Sequence, residues 1–268
     1  MARVERSNPV GLPAPVNGAY SHLVRVGPWV FLSGQTAGAP NGGVVGGEDA
    51  GAQAAEVYRR IGVALASVRG GFENVVAMNT YLVSVDDWPA VRGPRAAAFP
   101  AEKPTSSSVN ITRLANPAYK VEIDVVAHLP QHAQEDDPMA SLEHLQPAGM
   151  PDNANRYSQI VRVGPWVYIA GQVAADASGN VVGKGDPAAQ VVQVYANLTR
   201  AMEAVGGTLA DIVKTTVYVA GTEHLDAIRA ARAGKFGSQP PTSTLLVVSR
   251  LANPDYLLEI EAVAYVAH

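Results

Sequence analysis

Apolar residues recur along this chain in two alternating rhythms, and each rhythm occurs twice in the same order. In HLVRVGPWVFLSG, Val24, Val26, Val30 and Leu32 fall on every second residue around a Gly-Pro pair. That is the pattern of two half-buried strands joined by a tight turn. A helical period follows, with Val57, Ile61, Leu65 and Val68 on one face and Gly70-Gly71 as a stop. NVVAMNTYLVSV then reads as a strand, a second helix carries Ala96 and Phe99, and SSVNITRL and KVEIDVVAHL read as two closing strands. The second half repeats the series. Ile160 through Ile169 form its hairpin, and Val191, Val194, Leu198, Met202 and Val205 line its first helix, with Asp186-Pro187 as N-cap and first turn. DIVKTTVYVAG, a helix with Ala230 and Phe236, and the strands STLLVVSRL and LLEIEAVAYV complete it. The order ββαβαββ in each half predicts an α+β fold with helices gathered on one face of a mixed sheet.

The repetition is literal as well as rhythmic. VRVGPWV stands at 24–30 and again at 161–167, followed by Ser-Gly-Gln at 33–35 and Ala-Gly-Gln at 170–172. Tyr20 and Tyr157, Trp29 and Trp166, Gln53 and Gln190, and Glu122 and Glu259 are all 137 positions apart. RLANPAYKVEIDVVA (113–127) matches RLANPDYLLEIEAVA (250–264) at 10 of 15 positions. The spacing shortens to 136 when Gly70-Gly71 is set on Gly206-Gly207, which places Asn79 against Thr215. The chain is therefore a tandem duplication, with a first domain over 1–129, a second over 154–268, and a lightly packed acidic, Pro- and Gly-containing linker over 130–153.

Composition narrows the chemistry. With 268 residues, 47% of them hydrophobic, the chain can bury a core in each half. Cysteine is absent, which removes disulfides, thiolate metal sites and cysteine nucleophiles. A net charge of −4 without a Lys/Arg cluster argues against a nucleic-acid partner. No stretch approaches the roughly 18 uninterrupted apolar residues of a membrane helix, and MARVERSNPVG has no apolar leader core, so a cytoplasmic protein without membrane contact is expected. His128 and His132 straddle a strand end and are not duplicated, so no metal site is expected. GVVGG (43–47) reads as a hairpin loop, since no Lys-Ser/Thr follows it.

The ordered motifs YSQIVRVGPWVYIAGQ, DIVKTTVYVAG, PPTSTLLVVSRL and LEIEAVA, with their first-copy counterparts, resemble the RidA/YjgF family over almost the whole of both copies. The resemblance implies a compact chorismate-mutase-like fold in each copy and assembly as a trimer with ligand clefts between neighbouring subunits. It also implies hydrolysis of reactive enamines and imines to keto acids and ammonia, without metal or organic cofactor. Such chemistry needs a cation for the substrate carboxylate, a placed water, and a group that gives and takes a proton. In deaminases of the family an arginine two residues after the proline before the penultimate strand clamps the carboxylate, and a last-strand glutamate helps place the water.

The resemblance breaks at the clamp. PTSS at 104–107 and PTST at 241–244 put Ser106 and Ser243 where the arginine stands. Losing a charge-assisted bidentate contact in a dry cleft costs on the order of 2–5 kcal/mol. The last-strand glutamates remain as Glu122 and Glu259, the candidate catalytic residues. Arg92 and Arg229, at the start of the second helix, are candidates to replace the clamp, against the alternative of a solvated helix face. Tyr20 and Tyr157 match the family's cleft-lining aromatic position. Ser33, Ser106, Ser108, Ser243 and Thr244 would line the cleft as polar groups rather than nucleophiles, because no histidine is placed to activate them. Arg113 and Arg250 read as members of structural ion pairs.

The copies have also drifted: Ser33, Ser108 and Asn110 stand against Ala170, Leu245 and Val247, so two clefts need not be alike. A two-copy chain cannot close a three-membered ring by itself. A homo-oligomer is expected, most simply a homotrimer with six domains. Three readings stay open for a small-molecule metabolite as ligand: a hydrolase of imines or enamines with altered recognition, a biosynthetic cyclase or tautomerase using the same cleft, and a non-catalytic ligand-binding oligomer. Ribonuclease activity, described for some of the family, is disfavoured by the acidic balance.

Overall fold

The structure, a computed structural model, describes residues 4–15, 20–39, 42–130, 141–236 and 240–266. In chain order its elements are β1 (Val4–Ser7), β2 (Leu23–Val26), β3 (Trp29–Gln35), α1 (Ala50–Ala66), β4 (Val75–Leu82), α2 (Trp88–Ala98), β5 (Thr105–Asn110) and β6 (Val121–His128). They continue with β7 (Leu142–Leu145), β8 (Ile160–Val163), β9 (Trp166–Gln172), α3 (Pro187–Glu203), β10 (Ile212–Ala220), α4 (Leu225–Arg232), β11 (Thr242–Val248), β12 (Arg250–Leu251) and β13 (Leu258–Tyr265). From β2 and from β8 onward the order is ββαβαββ, the α+β pattern read from the sequence, with the short β12 added in the second copy. Among the described residues no helix is long and apolar enough to cross a membrane.

Two compact units result, Met1–Lys103 with Ile111–Leu142, and Pro104–Asn110 with Glu143–His268. The first contains the antiparallel series β1-β2-β3-β6-β4. The second contains β11-β10-β13-β9-β8-β7, mixed because β10 and β11 run parallel. Strand β5 belongs to the second unit, where it pairs antiparallel with β12 through Asn110 and Arg250.

The VGPW repeat is a two-residue hairpin. Gly27 (φ 58°) and Gly164 (φ 56°) take the positive φ such a turn demands, and the following proline presets the next φ. The Pro28 and Pro165 carbonyls each accept an amide from the end of the last strand, Leu129 N and Val266 N, both at 2.8 Å. Helices α1 and α3 start where Asp49 and Asp186 cap their first turns. Val57, Ile61 and Leu65 are fully buried against β6, as Val191, Val194, Leu198 and Met202 are against β13 and β9. In the second helices the structure buries Val91 and Ile228 instead of Ala96 and Ala230, which are exposed. Phe236 lies beyond α4 and reaches the core by packing edge to face on Tyr195, ring centroids 5.5 Å apart.

The repeat holds its spacing of 137 where the sequence suggested a slip. Gly70 N bonds Leu65 O and Gly207 N bonds Met202 O, each at 2.9 Å, so these two glycines correspond. The left-handed residue before them is Arg69 (φ 64°) in one copy and Gly206 (φ 74°) in the other. Tyr81 then lies opposite Glu122 just as Tyr218 lies opposite Glu259, and Asn79 corresponds to Thr216 rather than Thr215.

Residues 142–151, within the segment read as a linker, are structured. Strand β7 edges the second sheet, Gly149 has φ 79°, and Met150 sits in the second core. The same features occur at β1, at Gly11 (φ 94°) and at Leu12 on the first core. VERSNPVGLP and LEHLQPAGMP share Glu, Pro, Gly and Pro in register, a signal the sequence reading missed. Positions 131–140, including His132, lie outside the described residues.

Candidate functional site

Alternation places the two glutamates. Leu258, Ile260, Ala262 and Ala264 of β13 point into the second core, so Glu259 and Glu261 face the side of the sheet away from the helices. Glu122 takes the same position on β6 between Val121 and Ile123. In each unit the carboxyl group lies across the glycine of the Gly-Gln pair. A Cβ added to Gly171 would collide with Glu259 Oε1, and one added to Gly34 with Glu122 Oε1.

These glycines sit at irregularities in the ladder, between Leu32 and Gln35 and opposite the step from Ile260 to Ala262. The neighbouring glutamine amides brace the irregularity. Gln172 Nε2 donates to Ala170 O and Gln159 Oε1, both at 2.9 Å. Gln35 Nε2 donates to Ser33 O at 2.9 Å and lies 3.2 Å from His22 Nδ1, whose Nε2 is 2.7 Å from Pro13 O. Gln159 Nε2 similarly donates to Pro151 O at 2.9 Å.

The two carboxyl groups differ in surroundings. Glu259 is 5% exposed, and burial pushes it up to about 8, helped by the Glu261 charge and opposed by the Ser108 amide that donates to it. At neutral pH Glu259 is therefore an uncharged acid with a proton to give. Half-buried Glu122 is also raised by burial. Glu259 in turn helps burial raise the Tyr256 hydroxyl.

Around Glu259 the second unit gathers the PTSSS segment. Pro104 O accepts from Ser158 N at 3.2 Å, and Ser108 N reaches the carboxyl group. Among the described residues the Ser106 hydroxyl is buried without a hydrogen-bond partner. Thr244 and Leu246 pair with Thr216 and Tyr218 and so share the face of Glu259, but both are exposed. Ser243 falls on the opposite face beside the core residue Leu245.

Other sequence candidates stand apart. Tyr20 is exposed and packs its ring edgewise on His22 at 5.4 Å. Ser33 Oγ donates to Ser21 O at 2.8 Å, so its hydroxyl closes the hairpin. Tyr157 uses its carbonyl to hold Gln146 Nε2 at 2.7 Å. Arg92 is exposed, and exposed Arg229 lies 3.7 Å from Asp226 on its own helix. Arg232, three residues on, is the arginine that reaches the clamp position, with Nη2 3.3 Å from Ser243 Oγ. Arg113 is exposed, and Arg250 Nε is buried without a hydrogen-bond partner among the described residues, so neither shows the ion pair expected of it there.

A family model described as endoribonuclease L-PSP matches twice, over residues 12–129 and 148–266. A RutC family protein of Pyrococcus horikoshii is 36% identical over 115 residues, 43% of this chain and 90% of that protein. One from Pyrococcus abyssi is 34% identical over the same length and shares. A chorismatase crystal structure superimposes with a TM-score of 0.67 at 17% identity, covering 90% of this chain and 76% of its own, a likeness of fold.

Proposed function

The chain belongs to the endoribonuclease L-PSP family, carrying its domain twice, and from that premise we propose that it hydrolyses a small imine or enamine at Glu259. The observation that carries the reading is a buried glutamic acid, held near 8, braced over Gly171 and contacted by the Ser108 amide. A group with that value can both donate and recover a proton near neutral pH.

The steps balance on this one residue. Protonated Glu259 gives its proton to the enamine carbon, leaving a carboxylate and an iminium. The carboxylate takes a proton from water as its oxygen bonds to the iminium carbon, forming a carbinolamine. Glu259 then protonates nitrogen, the C–N bond breaks to release ammonia, and the carbinol proton returns to the carboxylate as the keto group forms. Ser106 Oγ, buried and unpartnered, is available to hydrogen-bond the substrate. A net charge of −4 without a basic cluster favours a small molecule over RNA.

The test is keto-acid and ammonia release from imines generated in situ by an amino-acid oxidase, comparing wild type with Glu259→Gln and Glu122→Gln. Acceleration is expected to be lost in Glu259→Gln and retained in Glu122→Gln; equal activity of wild type and Glu259→Gln would overturn the assignment. We also propose self-association as a homotrimer. Strand β11 exposes Leu246 (43%) and Val247 (45%) at the sheet edge, where its repeat counterpart β5 is largely buried. Light scattering reads the mass directly, and a monomer at micromolar concentration would refute it.

A further inference from the structure

Helix α4 carries an arginine whose donors are oriented but whose charge is unanswered. Arg232 Nε donates to Tyr195 Oη and Nη2 to Ser243 Oγ, each at 3.3 Å, and both partners are neutral hydroxyls. A guanidinium has five N–H donors in a rigid planar fork, so three remain unspent. Among the described residues no carboxylate lies within 4.0 Å of Arg232. Its neighbour Arg229 is treated differently, with Asp226 3.7 Å away, and half-buried Glu56 lies 2.7 Å from both Arg59 and Arg60.

A second cation shares the mounting. Lys235 Nζ lies 5.8 Å from the centroid of the Tyr195 ring and likewise has no carboxylate within 4.0 Å among the described residues. Tyr195 is 4% exposed and meets Phe236 edge to face, so a fixed side chain holds Arg232 by its hydroxyl and Lys235 over its ring. The first copy keeps the arginine, Arg95, whose charge acts on Tyr58, but not the second cation. Its counterpart of Lys235 is Ala98, and the Tyr58 hydroxyl is buried with no hydrogen-bond partner among the described residues.

We propose that Arg232, Lys235 and the Ser243 hydroxyl form a binding site for a small oxyanion, a carboxylate or phosphate group, on the helix-side face of β11. The free guanidinium N–H groups donate to two oxygens side by side, which suits either group. Ser243 Oγ accepts from Arg232 and so has its own O–H proton to give to the anion. Lys235 adds a second charge without imposing geometry. Ser243, on this face, is exposed, so an anion reaches it from solvent. The site lies on the opposite face of the sheet from Glu259 and does not depend on the imine reading.

The test follows the Arg232 Nε–Hε resonance of ¹⁵N-labelled full-length protein during titration with pyruvate and, separately, with inorganic phosphate, at constant ionic strength set by sodium chloride. A saturable shift is expected with at least one probe, and which probe saturates assigns the oxyanion. With the Ser243 amide as reporter, Arg232→Gln is expected to weaken binding about tenfold or more, and Lys235→Ala by less. Glu259→Gln is expected to leave binding unchanged, which separates this site from the proposed catalytic one. No saturable shift with either probe, or equal binding in Arg232→Gln, would overturn the proposal.

Discussion

Glu259 makes stability depend on pH in a direction opposite to that of an ordinary surface carboxylate. Burial raises it from an ordinary 4.5 to about 8. Between those values the folded chain holds a proton that the unfolded chain has released, so the unfolding free energy falls as pH rises, by about 1.4 kcal/mol per unit. The stabilisation is whole below 4.5 and gone once pH has passed about 8. From pH 5 to pH 8 the loss is roughly 4 kcal/mol. Glu259→Gln keeps the shape and has no proton to lose, so the difference between variant and wild type isolates this group from all others that titrate. Trp166 is the tryptophan of the second unit, and Trp29→Phe with Trp88→Phe makes it the sole reporter in urea unfolding. The wild-type midpoint is expected to drop relative to the glutamine variant across that range. Curves that stay parallel within about 1 kcal/mol would show that Glu259 ionises normally and would remove the physical basis for its role as an acid.

Gly171→Ala is expected to cost about 2–4 kcal/mol and Gly34→Ala only about 1 kcal/mol, because buried Glu259 has nowhere to move its carboxyl group whereas half-buried Glu122 can swing toward water. Urea unfolding of the two alanine variants reads that order. Gly206→Ala places a side chain at φ 74° and is expected to destabilise by about 1 kcal/mol, while Arg69→Gly at φ 64° is expected to be neutral to stabilising by up to about 1 kcal/mol; thermal denaturation compares them. Buried Gln190 bonds Gly183 O, Asp255 O and Leu257 N, so Gln190→Met is expected to cost roughly 2–4 kcal/mol in chemical denaturation.

What the sequence displayed well was periodicity, and what it hid was contact across strands. Val57, Ile61 and Leu65, or Val194 and Leu198, share a face that any helix of that spacing must bury. The hairpin follows from VGPW because only glycine meets the required φ without strain. The short second helix offers too few apolar residues to define a face by spacing, and it is Val91 and Ile228, rather than Ala96 and Ala230, that are buried. Pairing the two double glycines by identity concealed that Arg69 occupies the left-handed position Gly206 takes in the other copy. The glycine of Gly-Gln is plain in the sequence, but its reason lies in a carboxyl group more than eighty residues away. Arg229 and Arg232 sit less than one helical turn apart, and only the seating of Ile228 decides which of them reaches β11.

Duplication gives this chain one motif in two electrostatic environments. Glu122 and Glu259 occupy the same strand position, face the same glycine and lie opposite the same tyrosine. Nothing in their local sequence separates a half-buried acid, raised by burial, from a fully covered one held near 8. The separation comes from burial: Glu259 is covered in the second unit, where Ser108 of β5 reaches it, while Glu122 stays half-open. The same logic applies to the paired strands, since β5 is largely buried and β11, built on a related sequence, is exposed with Arg232 at its side. A single-copy chain assembled with strict symmetry would give every glutamate the same value and every penultimate strand the same cover. Two fused copies can drift, so one chain comes to hold a covered glutamate beside a half-open one and a buried penultimate strand beside an exposed one.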